Sequence, residues 1–310
     1  MTSLHQGAED YLELRRSLGF KLKRPCRFIR EFVSWLRDSG EPRITTRLAL
    51  EWATQPQHLQ PAEWAARLSA IRGFARYWST IDGATEVPSD GLLPFRAQRP
   101  RPYLYSSAEI EQLLEAARCM PAQFELQPPT YHCLLGLLAV AGLRISEVLN
   151  LECRDVDWTG GLLTIRSTKF GKSRLVPLHP TAKAVLAEYA AQRDRLFPDR
   201  PTRAFFPSKT GGHLDAGQVR RVFYRLSRQI GIRGASASSG PRLHDLRHRF
   251  AVEILLRWYQ AGEDVKQRLP ILSTYLGHSH PTDTYWYLSG TPELMVAAGQ
   301  CMEKRWEVQG

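Results

Sequence analysis

Apolar residues return every three or four positions from Tyr11 to Trp78, as in Phe28, Phe32, Trp35, Leu36 and again in Trp64, Leu68, Ile71, Phe74, Ala75, Trp78. That is the period of an amphipathic helix. The pattern is interrupted at Gly19, at Gly40-Glu41-Pro42, at Gln55-Pro56 and at Pro61, so about four helices and a compact all-α core are predicted. Between Asp82 and Tyr105 neither the helical nor the strand period is present, and the stretch is rich in Pro, Gly and Arg. It reads as an extended linker, with the domain boundary near Arg99.

A second pattern starts after it. Ser106 or Ser107 can cap a helix that has Glu109 in its first turn and Ile110, Leu113 and Leu114 on one face. Tyr131 to Ala141 is apolar nearly all round, as in a buried helix, and stops at Gly142, where a left-handed cap residue belongs. A short helix is predicted from about Ile145. The run LLTIRSTKFGKSRLVPL alternates β-branched and polar residues on either side of Gly171, which predicts two strands and a turn. Helices are predicted at 181–195, 216–231, 243–259 and 265–276. The expected fold is mainly α with a small β-sheet: an all-α domain over 1–98 and an α+β domain over 99–310.

Composition narrows the class. Charged residues make up 24% and hydrophobic ones 43%, as in ordinary globular proteins. No apolar run approaches the roughly 20 residues of a membrane span. The opening MTSLHQGAEDYLELRR has acidic residues where a signal peptide is apolar, so a cytoplasmic location is expected. The cysteines, Cys26, Cys119, Cys133, Cys153 and Cys301, are scattered and lack metal-ligand spacing. The net charge is +11: residues 1–98 hold 14 Lys and Arg against 11 Asp and Glu, and 99–310 hold 28 against 20. Such an excess favours a polyanionic partner, nucleic acid or an anionic membrane.

Three clusters carry candidate chemistry. In GLRISEVLNL, Arg144 and Glu147 are three apart and share a helix face, which alone reads as a surface ion pair. In HDLRHRF, His244 and Arg247 are again three apart and can point at one ligand. In LGHSHPTDTYWY, His278 precedes Tyr287 by nine residues. A zinc site from His244, His248, His278 and His280 is the competing reading. It lacks the H-E-x-x-H glutamate and places the fixed cation Arg247 between two of its ligands. No metal is therefore expected, and the chain has no nucleotide-binding G-x-x-x-x-G-K-[ST] loop.

Together these clusters resemble the tyrosine recombinase (phage integrase) family, of the mobile-element type, over about residues 103–290. GLRISE is similar to the family's first arginine box, HDLRH to its second, LGH with the later Tyr287 to its third, and STKFGKSRLVPL to its lysine-bearing β-turn. The resemblance implies a DNA strand-exchange enzyme without cofactor whose nucleophile is Tyr287. Arg144 and Arg247 would clamp the phosphate, Lys169 would protonate the leaving 5'-oxygen, His244 and His278 would assist, and Glu147 would support them. Lys172, three residues after Lys169, competes for the lysine role; Lys172, Arg174 and His248 are further candidate DNA contacts. Tyr285, next but one to Tyr287, lacks the family spacing from His278.

By the same resemblance, residues 1–98 would be a helical, SAM-like DNA-gripping domain. The partner would be double-stranded DNA, with four protomers at a synapse and the tail TPELMVAAGQCMEKRWE docking on a neighbour. The alternatives left open are a type IB topoisomerase and a non-catalytic DNA-binding accessory factor. The segment between HDLRHRF and LGH is longer than the family pattern, and its Pro270 is expected to break or start a helix.

The chemistry explains the grouping. Negative charge grows on the non-bridging oxygens as a nucleophile attacks a phosphodiester, and planar guanidiniums fork those oxygens bidentately. Tyrosine, with an ordinary pKa near 10, needs help to attack.

Overall fold

The computed structural model describes residues 3–94, 101–166, 173–197, 202–278, 280, 282–288, 294–296 and 299. The chain divides into two compact units, Met1–Pro100 and Arg101–Gly310.

In the first unit, α1 (Leu4–Ser17), α2 (Lys23–Asp38), α3 (Thr46–Thr54) and α4 (Pro61–Trp78) follow the predicted pattern. Ser3 Oγ accepts from the Gln6 N–H and Thr45 Oγ1 from the Leu48 N–H, capping α1 and α3, while Pro61 opens α4 where no N–H is needed. Phe28, Phe32, Trp52, Phe74 and Trp78 fill the core. Gly7 lets α1 approach α4, since a Cβ there would lie 1.9 Å from the Trp78 ring. Part of the expected linker is instead fastened to this unit. Arg72 on α4 donates to the carbonyls of Pro88 and Ser89, both at 2.8 Å, and pairs with Asp90. Irregular backbone is held here by a side chain, which hydrophobic periodicity does not register.

The second unit is built around α6 (Gln127–Ala141), which packs against α5 (Ser107–Arg118), α8 (Pro180–Leu196) and α10 (Leu243–Gln260). Leu134, Leu135, Leu137 and Leu138 are all buried, which is why its sequence shows no polar face. Ser106 and Glu109 close a reciprocal capping box on α5. After α7 (Ile145–Leu149), the strands β1 (Val156–Asp157), β2 (Leu162–Ile165) and β3 (Arg174–Pro177) form an antiparallel sheet in the order β1-β2-β3. Leu163 pairs with Val176, both fully buried, so Arg174, two residues before Val176, lies on the inward face. Pro177 sits at an edge strand, where its missing N–H breaks no ladder.

The remaining helices are α9 (Ala216–Gln229), α11 (Val265–Leu276) and α12 (Thr282–Leu288). Pro270 neither breaks nor starts a helix: it lies inside α11. Pro270 and Lys266, whose carbonyl loses its donor, are both exposed, so the lost bond falls on the solvent side of the helix. Among the described residues, no helix is long and apolar enough to cross a membrane.

Candidate active site

Two helix C-termini converge at the centre of the second unit. α6 ends at Gly142 and α11 at Gly277, both left-handed, with φ of 56° and 69°. A Cβ would fall 2.3 Å from Phe250 at Gly142 and 2.8 Å from Arg174 at Gly277, so both positions require glycine for conformation and for space. The last carbonyls of a helix have no partner within it and carry the negative end of its dipole. Three arginines from three other elements supply the partners. Arg174 Nε donates to the Tyr275 carbonyl at 2.6 Å, Arg247 Nη2 to Leu276 at 2.7 Å and Arg144 Nη2 to Gly277 at 2.8 Å. Arg247 Nη1 also donates to the Gly142 carbonyl at 2.8 Å.

Glu147 supplies the counter-charge. It is 8% exposed and accepts from the Arg144 N–H at 3.0 Å and Arg144 Nη1 at 2.7 Å. Arg174 donates both Nη groups to it, at 3.0 and 2.8 Å. Burial alone raises its pKa, but the Arg174 fork and the Arg144 donors outweigh that and hold it down to about 2. Arg174, expected as a DNA contact, thus faces inward, with its Nε and both Nη groups on Glu147 and Tyr275.

α10 brings His244, Arg247 and His248 to this point on one face. Its first turn is locked by Asp245, 1% exposed, which accepts from the Arg242 N–H at 2.9 Å and from Arg242 Nη2 at 2.7 Å. Arg247 is 1% exposed. Burial lowers its pKa, opposed by the nearby Tyr287, to whose side chain Arg247 is hydrogen-bonded. Arg247 Nη2 also donates to His278 Nε2 at 3.0 Å, and His278 Nδ1 lies 2.7 Å from Thr284 Oγ1.

Tyr287 is 4% exposed, with its ring 5.1 Å from His248, edge-on, and 5.9 Å from His278, nearly parallel. His244 meets His248 edge-on at 4.7 Å. Desolvation, then repulsion from Arg247, pushes both His278 and His244 down to a pKa of about 4, although part of the His244 side chain remains open to solvent.

Eight residues singled out in the sequence are therefore brought together: Arg144, Glu147, Arg174, His244, Arg247, His248, His278 and Tyr287. His248, expected as a DNA contact, is buried between His244 and Tyr287. Tyr285 is 55% exposed, on the other side of α12 from Tyr287. His213 lies apart, 2.8 Å from the Leu149 carbonyl, and His280 is exposed. Lys169 and Lys172 lie outside the described residues. Among the described residues no group of three or more His, Cys, Asp or Glu side chains is placed to hold a metal ion. Thr284 was missed, because a lone threonine carries no sequence signal until its partner is known. The inward role of Arg174 was readable, since it shares strand parity with the buried Val176.

Arginines on a carboxylate, a buried tyrosine against one of them and two uncharged histidines make a pocket suited to an anionic ester and a phenol nucleophile. Residues 104–293, which contain all of these groups, match the model of the phage integrase family. The chain belongs to that family. It is a tyrosine recombinase, an enzyme that cleaves and rejoins DNA.

This integrase-family chain is similar to a putative integrase/recombinase of Sinorhizobium fredii, 51% identical over 311 residues and 99% of each chain. The tyrosine recombinase XerD of Caulobacter vibrioides is 31% identical over 237 residues, covering 75% of this chain and 72% of that one. Among solved structures, the XerH site-specific recombinase in a post-cleavage complex with its palindromic difH substrate has a TM-score of 0.66 at 17% identity, covering 98% of this chain and 86% of that one. The Tn1549 transposon integrase in complex with transposon right end DNA has a TM-score of 0.62 at 16% identity, covering 98% and 99%. At such identities the likeness shows the fold.

Proposed function

We propose that this recombinase acts on double-stranded DNA through Tyr287, whose hydroxyl attacks a phosphodiester. The bond to the 5'-oxygen breaks, a 3'-phosphotyrosine forms, and a 5'-hydroxyl from another strand later reverses the step. The observation that carries this reading is Tyr287 itself, nearly buried, hydrogen-bonded to Arg247 and flanked by His248 and His278. Arg144 and Arg247 stabilise charge developing on the non-bridging oxygens. Lys169, between β2 and β3 in the sequence, protonates the leaving oxygen, with Lys172 as the competitor for that task. His244 assists at the tyrosine and His278 at a phosphate oxygen. Glu147 and Arg174 brace the arginines.

Bond energy is kept in the phosphotyrosine, so no ATP is needed, and the guanidiniums supply the positive charge. Exchange of two duplexes requires four cuts, hence four protomers at the synapse. The N-terminal helical unit adds phosphate contacts, and the protein works in the cytoplasm.

The test uses DNA flanking the protein's own gene. Wild type should give covalent adducts and recombinant products in EDTA. Tyr287→Phe should bind the same DNA and form no adduct. Cleavage by Tyr287→Phe would falsify the mechanism, and relaxation without recombinant products would indicate a topoisomerase.

A further inference from the structure

His278 lies between two side chains that leave one choice of proton. Its Nε2 is 3.0 Å from Arg247 Nη2, and a guanidinium has donors only, so Nε2 must accept. In the neutral ring the proton then sits on Nδ1, 2.7 Å from Thr284 Oγ1, which accepts it. Thr284 is fully buried, so no water competes for that bond. It also lies three residues before Tyr287, on the same face of α12, and the His278 and Tyr287 rings are nearly parallel at 5.9 Å.

We propose that Thr284 is a positioning residue of the recombinase: in the DNA-free pocket its hydroxyl holds His278 as the Nδ1–H tautomer and so keeps Nε2 accepting from Arg247, which aligns the Arg247 fork for the phosphate it receives. Without that acceptor the ring is free to carry its proton on Nε2, which sets one donor against another and pushes the Arg247 fork out of line. The same hydrogen bond registers the helix carrying Tyr287 on the histidine beside it. The catalytic half of this proposal rests on the phosphotyrosine reading above; the tautomer half stands without DNA.

The experiment separates the two. The full chain is labelled with ¹⁵N-histidine, and the His278 ring signals are assigned by their loss in His278→Gln. Wild type and Thr284→Ser should show the Nδ1–H form, and Thr284→Val, which keeps the shape and removes the hydroxyl, should shift toward Nε2–H. Cleavage of a nicked DNA substrate should fall by about 10–100-fold in Thr284→Val, the loss common when the partner fixing a functional histidine is removed. Thr284→Ser should restore most of it, and DNA affinity should not change.

An Nε2–H signal in the wild type overturns the proposal whether or not any variant folds. So does a Thr284→Val protein that keeps both the Nδ1–H form and wild-type cleavage. If the wild type forms no adduct at all, the phosphotyrosine reading fails while the tautomer result still decides the role of Thr284.

Discussion

Glu147→Gln tests whether one carboxylate holds the arginine cluster together. Glutamine keeps the size of the side chain but presents an NH₂ donor to Arg174 and Arg144, leaving Arg174, whose side chain is 10% exposed, without its counter-charge. Two estimates agree on the cost. Holding Glu147 at about 2 against its ordinary 4.5 corresponds to about 3 kcal/mol at about 1.4 kcal/mol per pKa unit. Removing one partner of a buried ion pair costs about 3–5 kcal/mol. For a unit of this size each kcal/mol moves the Tm by about 2–4 °C, so the second unit should melt roughly 6–20 °C lower.

Calorimetry that resolves the transitions of the two units measures this. The double variant Glu147→Gln/Arg174→Met should be less destabilised than the sum of the singles, by about 1–3 kcal/mol, because it removes the stranded charge along with its partner. A single-variant loss below about 1 kcal/mol, or strict additivity, would refute the reasoning.

Stability of the second unit should fall on acidification from about pH 6.5 to 4, because His244 and His278 bind protons in the unfolded chain over that window and not in the native one. A further loss from 4.5 toward 2 should come from Glu147; urea titrations at stepped pH check both, and His278→Asn should flatten the first segment. Gly277→Ala should destabilise the second unit and lower cleavage together, since its Cβ meets the Arg174 guanidinium and its φ is 69°; normal cleavage at saturating protein would count against the packing argument. Arg144→Ala or Arg247→Ala should lower the single-turnover cleavage rate by about 10²-fold or more with a smaller effect on affinity. Residues 103–310 alone should bind DNA more weakly than the full chain and with a shallower salt dependence, each lost phosphate contact removing about 0.9 from the slope; equal slopes would leave the N-terminal unit no part in binding.

Much of this molecule was legible in the chain because helices have a local signature. The heptad-like spacing from Phe28 to Trp78 and the uninterrupted apolar run before Gly142 predict helices at the right places. Reading failed where structure depends on distant partners. Pro270 is tolerated because its face of α11 meets water, a property of the fold rather than of the tripeptide around it. The linker loses its first residues to Arg72, and two-residue β1 exists only because β2 pairs with it. In the site, the boxes identified which arginines and histidines matter, while the links among Arg174, Glu147 and Thr284 span long sequence separations or need a ring orientation that spacing does not specify.

The end of α11 is held by its main chain. The carbonyls of Tyr275, Leu276 and Gly277 each take one arginine, and a carbonyl is the same whatever side chain it carries. The pocket therefore senses where that helix ends, while Leu269, Leu272 and Leu276 tie its inner face to the core that holds Tyr287. For protein engineering this leaves the outward positions of α11, such as Lys266, Arg268 and Ile271, and the turn at 261–263 open to change. Turns of other lengths can be spliced between α10 and α11, and DNA-cutting geometry should persist provided the closing turn still delivers three oxygens and a left-handed glycine.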